Sequence, residues 1–146
     1  MLRGAMSVFA AGCLGGLATI LTVWLCGALG ITGALGVAIA PPLTPDLLYR
    51  PIVWGGIWGF LFLLPLLPGK PWLRGLLFGL GPSLGQLLIV FPVKTDAGAL
   101  GLGLGALTPL FVLLFNSVWG LVTAGLLEAA GRAAAPGATR RPRAAQ

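Results

Sequence analysis

Thr44-Pro45-Asp46-Leu47-Leu48-Tyr49-Arg50-Pro51-Ile52-Val53-Trp54-Gly55 and Thr108-Pro109-Leu110-Phe111-Val112-Leu113-Leu114-Phe115-Asn116-Ser117-Val118-Trp119-Gly120 begin two apolar segments in the same way. Each opens on a Thr-Pro pair, passes a polar side chain (Arg50 or Asn116) and arrives at Val-Trp-Gly. Thr44 and Thr108 are suited to cap a helix N-terminus. Pro45 and Pro109 fit the first helical position, where a missing N–H costs nothing. Both segments are long enough to cross a bilayer, which takes about 20 mostly apolar residues.

Composition extends that reading to the whole chain. Of 146 residues, 58% are hydrophobic and 8% charged, and the mean hydropathy is +1.01. Soluble domains carry roughly a quarter charged residues, so this surface cannot face water. The expectation is an all-α polytopic membrane protein with four transmembrane helices over about 7–29, 45–67, 71–91 and 109–130. Together they form one domain, residues 1–132. Pro51 falls inside the second helix and Pro82 inside the third, while Pro68-Gly69 marks the turn between them. The Pro/Arg/Ala-rich residues 133–146 read as a disordered basic tail. Residues 30–43 and 97–107 are apolar yet too short to span. They read as interfacial or re-entrant, because irregular backbone at membrane depth must be covered by protein. The apolar run from residue 7 continues to Leu29 without a convincing cleavage site, which reads as a retained helix.

Orientation follows from the basic residues. Arg3, Lys70, Arg74, Arg132, Arg140, Arg141 and Arg143 fall on one side of this topology, and only Arg50 and Lys94 on the other. That bias places both termini in the cytoplasm. It also accounts for the net charge of +6 without nucleic acid. Arg140, Arg141 and Arg143 are expected to meet anionic lipid headgroups.

The paired motifs suggest a two-fold internal repeat of helix hairpins. Gly15-Gly16-Leu17-Ala18-Thr19 lies over Gly79-Leu80-Gly81-Pro82-Ser83, and Gly27-Ala28-Leu29-Gly30 over Gly98-Ala99-Leu100-Gly101. A repeat of two helices keeps its orientation, so its axis would run along the membrane normal. Gly12/Gly16, Gly55/Gly59, Gly75/Gly79 and Gly81/Gly85 are small-xxx-small pairs, which let helix backbones approach closely. They serve either packing within one bundle or a homodimer face.

Few side chains could carry chemistry. Histidine is absent, and Cys13 and Cys26 lie too far apart on one helix to bridge. With no metal-ligand spacing, no nucleophile–base pair and no carboxylate pair, neither an enzyme nor a cofactor is expected. One polar residue per helix recurs at a similar level: Thr22, Arg50, Gln86 and Asn116, each about 8–12 Å from one helix end. Polar groups facing lipid are costly, so these four are expected to point inward and meet. Arg50 precedes Trp54 by four residues and Asn116 precedes Trp119 by three, which sets each polar group on the face of its tryptophan. The cluster is either a hydrogen-bonded clamp or a binding site. For Arg50 the competing reading is an ion pair with Asp46, and Glu128 has the same spacing to Arg132.

From Trp54 to Pro92 the chain resembles small four-helix bacterial inner-membrane proteins of the YagU-like kind. The residues that carry the resemblance are Trp72, Gly75-Leu76-Leu77-Phe78-Gly79, Gln86-Leu87, Phe91-Pro92 and the later Phe115-Asn116-Ser117-Val118-Trp119. Such proteins tend to carry a histidine near positions 50 and 116, where this chain has Arg50 and Asn116. The resemblance implies an inner-membrane location. The functional expectation is a structural or accessory membrane protein acting through helix packing, as a homo-oligomer or a subunit of a larger membrane complex. The alternative is a small oligomeric transporter or channel with a polar site in the outer half of the bundle.

Overall fold

The computed structural model describes residues 2–134, so the basic tail with Arg140, Arg141 and Arg143 lies outside the described residues. Every element is helical, and no strand occurs among the described residues. The order is α1 (Leu2–Ala28), α2 (Ile31–Ala34), α3 (Pro45–Gly59) with a 3-10 turn (Phe60–Leu63), α4 (Pro71–Gly85), a π-helical turn (Gln86–Val90), α5 (Phe91–Lys94), a 3-10 segment (Ala99–Leu104) and α6 (Thr108–Ala134). Three rods are long and apolar enough to cross a membrane: Leu2–Ala28, Pro71–Lys94 and Thr108–Ala133.

The fourth expected span differs in form. Its α-helical part has 15 residues and begins as the sequence predicts, with Thr44 Oγ1 accepting the Leu47 N–H at 3.2 Å. It tightens into a 3-10 turn at Phe60 and ends at Leu63, short of the expected Leu67. Pro65 explains the end, since a proline disfavours helical backbone in the residue before it. Leu64 is accordingly extended, with φ −68° and ψ 131°. The carbonyls left open there are taken by a side chain. Arg74, one turn into α4, donates through Nη2 to the Phe62 and Leu64 oxygens, and its guanidinium lies 5.5 Å from the centroids of the Phe62 and Phe78 rings.

The third rod contains a turn that the sequence reading lacked. The Phe91 N–H reaches back five residues to the Gln86 carbonyl, a π-type bond. Pro92 supplies the cause: a proline ring clashes with the carbonyl four residues earlier, here Leu88, and cannot bond to it. Widening the turn relieves that clash. Thr108, expected as a cap, is instead the first residue of α6, and its buried Oγ1 has no hydrogen-bond partner.

The rods lie in the order α3, α1, α6, α4 by mutual contact. In two of the three neighbouring pairs, backbone meets backbone at glycines. A methyl group on Gly12 would strike the backbone of Gly55, and one on Gly16 that of Pro51. In the same manner Gly75 meets Gly120, and Gly79 meets Asn116. Between these pairs, α1 and α6 join through Gly15, which a side chain would drive into Trp119 and Thr123. Trp58 reaches from α3 to the bare surfaces of Gly81 and Gly85, so the outer two rods meet through a side chain.

Both apolar connections lie at one end of the bundle, called here the loop end. They fold onto each other: the Ala38 N–H donates to the Leu104 oxygen at 2.7 Å, and Gly105 presses on the Gly36 carbonyl. Val37 is buried against Phe111 and Phe115 of α6, with Val23 and Cys26 of α1 around it. Phe115 stands roughly 10 Å from the start of α6. Val37 thus tucks into the bundle, while Gly36, Ala38 and Ala40 on either side of it stay exposed. Thr32 helps to close that loop, donating to the Ile39 oxygen at 2.7 Å.

Candidate functional site

Of the four residues expected to meet, the structure brings two together. Asn116 is buried at 8% exposure on the inner face of α6. Its Nδ2 donates to Oε1 of Gln86 at 3.5 Å, the long limit of a hydrogen bond. Gln86 is half-buried and is the first residue of the π-helical turn.

Arg50 is elsewhere, which corrects the expectation that it shares an interior space with Asn116. Its side chain is 74% exposed and holds Asp46 at 3.3 Å. The reason lies in which row of α3 touches α1. Pro51, Gly55 and Gly59 occupy that contact, and they are spaced four apart, so they form one stripe. Arg50 and Trp54 form the adjacent stripe and face outward, Trp54 at 56% exposure. The rule that Arg50 shares a face with Trp54 therefore holds, but the face is not the interior. On α6 the equivalent tryptophan, Trp119, is 2% exposed. Thr22 is half-buried and turns its hydroxyl to the Ala18 oxygen of its own helix at 2.8 Å, a common exit for a hydroxyl within a helix.

Other polar groups do the joining that was expected of these four. Trp119 Nε1 donates to the Gly12 oxygen at 3.2 Å. Thr123, fully buried, donates to the Trp119 oxygen at 2.7 Å and lies 3.5 Å from the Ala11 oxygen. Thr19 donates to the Phe115 oxygen at 3.3 Å. Each of these crosses or lines the α1–α6 seam, where small residues let a side-chain donor reach a neighbouring carbonyl. The sequence held that signal in Gly12, Gly15 and Gly16, but Thr19 and Thr123 were not singled out for it.

Two cavities adjoin polar side chains. At the loop end a groove of about 340 Å³ is lined by residues 38–41, Gln86, Phe91 and Leu104. At the opposite end a smaller one of about 150 Å³ lies between Phe62, Pro71, Arg74, Ala124, Leu127 and Glu128. Glu128 is itself paired with Arg132 at 3.0 Å. Cys13 and Cys26 carry free thiols. No group of three or more histidine, cysteine, aspartate or glutamate residues comes together among the described residues. Comparison with known protein families, with curated proteins and with solved structures finds no match.

Proposed function

We propose that the chain is a structural or accessory protein of the bacterial inner membrane that works through its helix surfaces as a subunit of a larger assembly. One observation carries this reading: the seams between rods are closed by backbone lying on glycine and by Trp119, Thr19 and Thr123 bonded across them. A closely packed, bonded interior suits a scaffold. In this reading α3 with its 3-10 turn is the fourth span, and the positive residues Arg3, Lys70, Arg74 and Arg132 face the cytoplasm together with both termini. The two glycine crossings, α1 on α3 and α4 on α6, are alike in kind and support a hairpin repeat. The resemblance to YagU-like proteins agrees on location only.

The alternative, a small oligomeric transporter or channel, draws on the groove beside Gln86, which reaches the polar pair with Asn116 from the loop end. Two measurements separate the readings. Protein extracted in mild detergent should run as a stoichiometric assembly by light scattering, and the purified chain in liposomes should pass no ions or small polar solutes above empty vesicles. A solute flux that Gln86→Leu abolishes would favour the alternative and sink the scaffold reading.

A further inference from the structure

We infer that the groove at the loop end is a lipid site, in which Gln86 recognises the ester carbonyl of a phospholipid whose chain lies along residues 38–41 and Leu104. The inference goes beyond the scaffold reading and does not depend on it.

Four observations lead there. The groove is an open one of about 340 Å³. Its walls are apolar apart from Gln86: Ala38, Ile39, Ala40, Pro41, Phe91 and Leu104. Gln86 spends its acceptor on Asn116, and its Nε2 donates to no group among the described residues. The amide thus has a donor left over beside an apolar cleft. Finally, Gln86 opens the π-helical turn, and such turns occur often at functional sites.

The ligand class follows from the surroundings. Gln86 lies eight residues from Lys94, about 12 Å along its rod. That depth is at the edge of the hydrocarbon, where an unmet amide donor is expensive. A ligand here needs an acceptor oxygen on a long apolar body and no charge, because no cation or anion lines the groove. The acyl ester of a membrane phospholipid has that chemistry. Residues 38–41 form part of the groove wall and are held to Leu104 by the Ala38 N–H.

The test uses the full chain, purified in mild detergent, stripped of lipid, and titrated with dioleoyl phosphatidylethanolamine or its diether analogue. The analogue keeps chains and headgroup but lacks the carbonyls. Native mass spectrometry reads the retained lipid. Wild-type protein should hold one ester lipid roughly two- to tenfold more tightly than the ether lipid, the worth of one hydrogen bond. Gln86→Leu should make the two equal, and Ala38→Phe should weaken both by filling the groove. Equal retention of ester and ether by the wild type, or unchanged binding in Ala38→Phe, overturns the proposal. Should Gln86→Leu fail to fold, those two comparisons still decide it, since Ala38 is exposed.

Discussion

At the scale of single residues, what matters most is what is missing from Gly12, Gly75 and Gly120. Gly75 and Gly120 lie backbone to backbone, and any Cβ must force the rods apart. Gly75→Val should destabilise the bundle by roughly 1–3 kcal/mol, the usual cost of overpacking, read as a fall in melting temperature. Gly131→Ala, where nothing stands within 4 Å, should not lower it. The opposite case is Arg50, whose guanidinium and Asp46 partner are both largely exposed. Arg50→Leu should cost under about 1 kcal/mol and leave Asn116 and Gln86 undisturbed. A cysteine placed at 50 should react with an impermeant maleimide from outside whole cells, and one at 116 should not. Helical spacing told correctly which residues share a face, Arg50 with Trp54 and Asn116 with Trp119. It could not tell which face looks inward. That choice depends on where a neighbouring helix presents glycine, and so it is a property of two helices.

At the scale of elements, starts were easier to read than ends. Thr44-Pro45 marks the start of α3 by local chemistry, and the structure keeps it. Its end depends on Pro65 and on Arg74, a residue from the next rod. The sequence offered Arg74 as one more positive charge near a membrane surface; the fold uses it as a cap for the Phe62 and Leu64 carbonyls, with its plane against two phenyl rings. Arg74→Leu should therefore uncover that turn, at a cost of about 1.5–3 kcal/mol for bonds from a charged donor. Faster amide exchange confined to residues 60–67 would show it; unchanged exchange there would mean that the turn holds itself. The π-helical turn at Gln86–Val90 was also illegible, because Pro92 falls just past the expected helix end at 91 and reads there as a stop, whereas the rod widens one turn and continues to Lys94.

At the scale of the molecule, composition alone was enough to identify a helical membrane protein, because 58% hydrophobic and 8% charged residues leave no other surface. The order of the rods was not readable, since small residues mark contacts without naming partners. The structure pairs α1 with both α3 and α6. With Cys13 and Cys26 replaced by alanine, cysteines at Ala11 and Thr123 should crosslink within one chain, as their side of the α1–α6 seam brings Thr123 Oγ1 to 3.5 Å from the Ala11 oxygen. Reporter fusions after Arg3, in the Gly69-Lys70 turn and after Arg132 should all report cytoplasm; a periplasmic signal from the turn would invert the topology.

The α1–α6 seam also sets a clock. Trp119 and the Gly12 carbonyl are separated by 107 residues of chain. At a synthesis rate of about 5–20 residues per second, α1 waits roughly 5–20 s in the membrane before its partner is made. Throughout that interval its face of Ala11 and Gly15 is open to any passing helix. The hairpin with α3 forms early and can shield only the side of α1 that bears Gly12 and Gly16. A nascent chain halted before α6 would thus display a bare glycine face, the kind of surface that membrane quality-control proteases and insertion chaperones are placed to meet.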